Sequence, residues 1–151
     1  MLAIRGAHGD QAGELRARNN LAIAYQHQGR YAESLRESDR TKAIAEKLGD
    51  MALLGILLKN SADTCQLMGD LEGALIRGSE AVRVLAESQD RHTEAMARAG
   101  LGETLRLLGA TLADLGRTAD ARQSWLEALQ LAESMSDART AELRLLAWSG
   151  V

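Results

Sequence analysis

Apolar residues recur at helical spacing along nearly the whole chain. Leu15, Leu21, Ala22 and Tyr25 form one stripe, and Tyr31, Leu35 and Ile44 begin the next. This is the period of one face of an α-helix. Short polar turns interrupt the stripes at regular distances. HGD at 8–10, LGD at 48–50 and SQD at 88–90 fall 40 residues apart, and MSD at 135–137 follows 47 later. A second set of markers repeats the spacing: Gly29 and Gly69 are 40 apart, and Gly116 lies 47 beyond Gly69. Glycine after an apolar run supplies the left-handed residue that ends a helix. An aspartate after it can accept from the free N–H groups of the next helix. The pattern predicts helices over 11–28, 31–48, 51–68, 71–88, 91–115, 118–135 and 138–149, with residues 1–8 finishing an earlier one.

The third unit is longer by seven residues. RAGLGETLRLLG at 98–109 overlays RNNLAIAYQHQG at 18–29, which sets Gly109 beside Gly29 and Gly69; read from the other side, Gly116 takes that place. The segment ATLADLG at 110–116 is therefore an insertion of about two helical turns, which keeps the helix face. It predicts a lengthened first helix, with Gly109 inside it at a cost of about 1 kcal/mol relative to alanine.

Composition fits this picture. The 151 residues contain no proline and no phenylalanine, and 46% are hydrophobic against 26% charged, which describes a globular helical chain. A net charge of −3 supplies no positive field for nucleic acid. A single cysteine, Cys65, excludes an internal disulfide framework and fits a reducing cytoplasm. The longest apolar run, residues 51–58, is far short of the ~20 residues that span a bilayer.

Paired helices in which small residues face bulky ones, with a glycine between, resemble tetratricopeptide repeats. The residues that carry the resemblance are Leu21, Ala22, Tyr25, Gly29 and Ser34 in unit one, and Ala62, Cys65, Gly69, Ala74 and Ala81 in unit two. Leu108, Gly109, Leu112, Gly116, Ala121, Trp125 and Ala128 carry it in unit three. The period departs from the family's usual 34 residues, and the proline that usually ends each unit is absent. Longer proline-poor units are similar to those of kinesin light chains, LGN/Pins-type scaffolds and bacterial signalling regulators, the last being nearest in composition.

The resemblance implies an all-α fold, a right-handed αα superhelix (solenoid) of antiparallel helix pairs with about three full units. The expected organisation is a single repeat domain, residues 1–151, with a partial unit at 1–10, units at 11–50, 51–90 and 91–137, and a C-terminal helix at 138–149. Both ends stop inside a unit, so the chain reads as a fragment of a longer protein, or as one whose apolar last helix (Leu143, Leu146, Trp148) meets a partner or a second copy.

By family position, the first helix of each unit lines the concave face. That places Arg16, Asn19, Ile23, Gln26 and His27 from unit one in the groove, then Ile56, Lys59, Asp63, Gln66 and Leu67 from unit two, and Met96, Ala99, Glu103, Arg106 and Leu107 from unit three. Asn20 and Asn60 fall at its edge. An asparagine carboxamide can pair with a peptide unit through both donor and acceptor, and Arg16 or Lys59 can engage a carboxylate. The same residue types also solvate an open face. The expected partner is a protein or peptide held in this groove; the alternative is a sensor or regulatory segment of a bacterial transcriptional regulator or signalling ATPase.

Nothing in the sequence carries a catalytic signature: it has no G-x-S-x-G elbow, P-loop or HExxH. His8, His27 and His92 lack the spacing of a zinc site. No enzyme activity, cofactor or metal is expected. Cys65 and Trp125 read as core, and Glu103 with Arg106 as a surface ion pair.

Overall fold

The computed structural model describes residues 7–88, 90–135 and 146. Six helices follow one another among them: α1 (Ala7–His27), α2 (Tyr31–Leu48), α3 (Met51–Met68), α4 (Leu71–Ala86), α5 (Arg91–Asp114) and α6 (Thr118–Met135). Each helix packs against the next, and α3 also touches α1 and α5. The fold is an all-α solenoid of helix pairs. Its first helices, α1, α3 and α5, form one continuous row, the inner row by family position.

The turns follow from local chemistry. Gly29, Gly49, Gly69 and Gly116 have φ of 76°, 70°, 81° and 78°. After Gly69 the chain closes as a Schellman motif: Gly69 N–H donates to the Gln66 carbonyl at 3.0 Å and Asp70 N–H to that of Cys65 at 2.9 Å. The Asp70 carboxylate then accepts from Gly73 N–H at 2.9 Å, and Asp50 does the same for Leu53 at 3.1 Å. The two residues of each Gly-Asp pair thus end one helix and begin the next. At the SQD turn there is no glycine. There Ser88 Oγ donates to the Leu85 carbonyl at 2.8 Å, and Asp90 accepts from Thr93 N–H at 3.0 Å. Bonds from the Thr93 side chain and backbone hold the Asp90 carboxyl below its ordinary pKa. Gly69→Ala should lower stability by about 1–2 kcal/mol, because a side chain is strained in the left-handed region, and Asp50→Ala by about 1 kcal/mol through loss of the cap. Urea unfolding of the two variants checks both.

Two sequence expectations are corrected. No turn forms at HGD: α1 runs unbroken from Ala7 through Gly9 and Asp10. Glycine inside a helix costs only about 1 kcal/mol, too little to force a break by itself. Leu21 is not a packing residue either, being 41% exposed. Its counterparts Ser61 and Leu101 are buried, and Leu101 lies against Gly78 of the preceding unit's second helix, 3.4 Å from where a Cβ would stand. No described helix stands in that place for Leu21.

The core runs along the helix pairs. One cluster joins Leu15 to Leu53, Leu54, Leu57 and Leu58 of α3 and to Val84 and Leu85 of α4. Leu85 is seated directly over Gly55, where any Cβ would collide with its side chain. A second cluster gathers Leu101, Leu105, Ala128 and Leu129. The third holds Ala121 and Trp125, with Leu112, Leu126 and Leu146 packed against it.

The insertion explains α5. At 24 residues it is six longer than α3, and Gly109 lies buried within it. The glycine has a purpose there: a Cβ would strike the indole of Trp125, whose Nε1 donates to the Arg106 carbonyl at 3.3 Å. Two registers meet on this one helix. Toward the preceding unit, Gln66 bonds Thr104 as Gln26 bonds Thr64, an offset of 40 on both sides. Toward α6, Gly109 faces Trp125 as Ala62 faces Gly78, an offset of 47. Seven residues are close to two turns, so one helix face serves both.

Candidate functional site

The inner row is tied together by side-chain amides. Gln26 Nε2 donates to Thr64 Oγ1 at 2.8 Å, and that hydroxyl donates on to the Asn60 carbonyl at 3.1 Å. One unit later Gln66 Nε2 donates to Thr104 Oγ1 at 3.4 Å, which donates to the Gly100 carbonyl at 3.0 Å. Each threonine thus bonds back to its own helix and receives the neighbouring helix in the same step. Asn60 Nδ2 also donates to Asn19 Oδ1 at 3.2 Å. Asn60 is therefore half-buried in the seam between α1 and α3, not at a free edge, whereas Asn20 is exposed.

The remaining groove residues divide by their surroundings. Lys59 Nζ pairs with Asp63 at 2.9 Å, one turn apart on α3, with the lysine side chain only 17% exposed. Arg106 and Glu103 pair at 2.7 Å. Arg16 and His27 are exposed, and Ile23, Ile56, Ala99 and Leu107 half-buried. Leu67 and Met96 stand 57% and 44% exposed on this row. Arg16 and His27, Ile56 and Leu67, and Met96 and Leu107 are each 11 residues apart, three turns along one stripe of each helix. The sequence reading did not foresee that Asn19, Gln26 and Gln66 bond the neighbouring helix. For Gln26 and Gln66, the 40-residue recurrence opposite Thr64 and Thr104 is the signal in the sequence.

On the other side, the second helices meet differently at the two seams. Between α2 and α4, Asp39 pairs with Arg77 at 3.0 Å and Lys42 with Glu80 at 4.0 Å. Between α4 and α6 lies an open cleft of about 380 Å³. Leu101 and Leu105 of α5 form its floor, Leu75 and Leu131 its walls, and Ser79, Arg98, Glu127 and Gln130 its rim.

Cys65 is 1% exposed, and burial pushes its thiol pKa up. It should react with a thiol reagent far more slowly in the folded protein than in denaturant; equal rates would show that the site opens readily. Among the described residues no group of three His, Cys, Asp or Glu side chains could hold a metal ion, and no helix is long and apolar enough to cross a membrane. Leu146 packs beside Trp125, while Leu143 and Trp148 of the expected end surface lie outside the described residues.

No curated protein matches the chain. Two family models, both described as tetratricopeptide repeat, match residues 13–87 and 101–136. They cover all three helix pairs, and the glycine turns, the small-against-large contacts and the continuous inner row are what such repeats build. Repeats of this kind generally mediate protein–protein interaction on a non-catalytic scaffold. The chain belongs to the tetratricopeptide repeat family.

Proposed function

We propose that this domain is a protein-interaction module that takes a peptide or a partner helix along the row of α1, α3 and α5. The observation that carries the reading is the exposure of Leu67 and Met96 on that row. Large apolar side chains on a row of helices open to a partner offer it apolar area to bury. Around them stand charges with different freedom. Arg16 is exposed and suited to a carboxylate, whereas Lys59 already has Asp63. Asn19, Gln26 and Gln66 act first on the stack and present only their remaining donors and acceptors to a ligand.

The test separates binding from folding. Leu67→Asp with Met96→Asp, and separately Arg16→Glu, should abolish capture of a partner isolated with the wild-type domain, with helical circular dichroism unchanged. Capture undiminished by both variants would overturn the proposal.

A further inference from the structure

The seven-residue insertion does more than lengthen α5. Since α6 pairs with α5 in the 47-residue register while α3 meets α5 in the 40-residue register, α6 is displaced along α5 by seven residues, about 10 Å at 1.5 Å per residue. The seam between second helices cannot then close as it does one unit earlier. One member of each bridging pair is gone as well: Ser79 and Val82 stand where Asp39 and Lys42 stand in the closed seam. Displacement and lost charges together leave the open cleft floored by Leu101 and Leu105.

We infer that this cleft is a second docking site, distinct from the inner row, for a partner helix that presents two aliphatic side chains one turn apart and a carboxylate beside them. The shape argues for a helix, because the cleft is a groove between two helices over a third, which accepts ridges at i and i+4. Charge fixes the chemistry. Arg98 lines the rim, and its one ion pair among the described residues, with Glu94, is 3.7 Å long. That is beyond hydrogen-bond distance, so Arg98 makes no side-chain hydrogen bond with the described residues and its donors can take a partner's carboxylate. In the closed seam the carboxylate of Asp39 comes from the neighbouring helix and meets Arg77; here the carboxylate comes from the partner. Glu127, which accepts from Gln123 at 3.2 Å on the α6 side of the rim, disfavours a second carboxylate there and sets the polarity of the bound helix.

The probes are three stapled 12-residue helices, each with leucines at i and i+4, that differ only in Glu, Gln or Lys at the position facing Arg98. Fluorescence anisotropy with the wild-type chain should rank them Glu, Gln, Lys, with Gln about tenfold weaker than Glu through loss of a charge-assisted bond. Arg98→Gln should level the three affinities. Deleting 110–116 sets Gly109 in the place of Gly116 and draws α6 back into the 40-residue register, so this variant, folded by circular dichroism, should lose the Glu probe. If it does not fold, the Arg98→Gln ranking decides alone. No binding of the Glu probe to wild type, equal affinities of the three for wild type, or a ranking unchanged by Arg98→Gln would each overturn the inference.

Discussion

Trp125→Ala should destabilise the domain by about 3–5 kcal/mol, the range for truncating a buried aromatic. The indole is 3% exposed and packs among Ala121, Leu112, Leu126 and Leu146. Its removal also leaves the Arg106 carbonyl without the Nε1 donor at 3.3 Å. Gly109 gives this prediction a sharper form. In the wild-type background Gly109→Ala drives a Cβ into the indole, and overpacking of this sort costs about 1–3 kcal/mol. With Trp125 already alanine the collision is gone. The same change then recovers the helix propensity that glycine forfeits, about 1 kcal/mol. Urea unfolding of the four proteins in the cycle should show the sign of Gly109→Ala reversing between backgrounds. Additive effects would mean that Trp125 does not occupy the space over Gly109.

Leu85→Ala is the second large effect, with about 2–5 kcal/mol expected. Leu85 is fully buried in the cluster that binds α3 to α4, and it lies directly on Gly55. Gly55→Ala alone should destabilise, since the leucine must leave its place. In the Leu85→Ala background the new methyl group refills part of the vacated volume, and the double variant should be more stable than Leu85→Ala alone. Because each unit of a solenoid is stabilised mainly by its neighbours, loosening the middle pair should also spread the unfolding transition. A drop in the denaturant m-value would report it.

Much of this architecture was legible in the sequence because it rests on local chemistry. The Gly-Asp turns at 49–50 and 69–70 are visible as dipeptides, since αL backbone and an N-cap each demand particular residues. The limits of α2 and α3 and the lengthening of α5 followed from them. HGD at 8–10 misled, because a turn signal is weak unless a packed helix reinforces it. Leu21 misled for a related reason: its apolar character was plain, but burial requires a neighbour. The site was less legible than the fold. A groove asparagine or glutamine reads identically whether it awaits a ligand or bonds the next helix. In the folded chain Gln26 reaches Thr64 and Asn60 reaches Asn19. Gly109 looked like a cost, and its use appeared only with Trp125 set against it.

The double register of α5 has a consequence for how such a chain can change length. Seven added residues turn the helix face by only about 20° from its starting direction, so Leu101 and Leu105 still meet α6 while the Thr104 hydroxyl still meets Gln66. Five added residues would point the downstream half of the helix away from its partner. Growth of a first helix is therefore quantised, with steps of seven or eleven tolerated and those between excluded. Each permitted step slides every later second helix along the stack as a vernier scale slides along its rule. Homologous units that gain residues at this position should gain them in such near-whole turns.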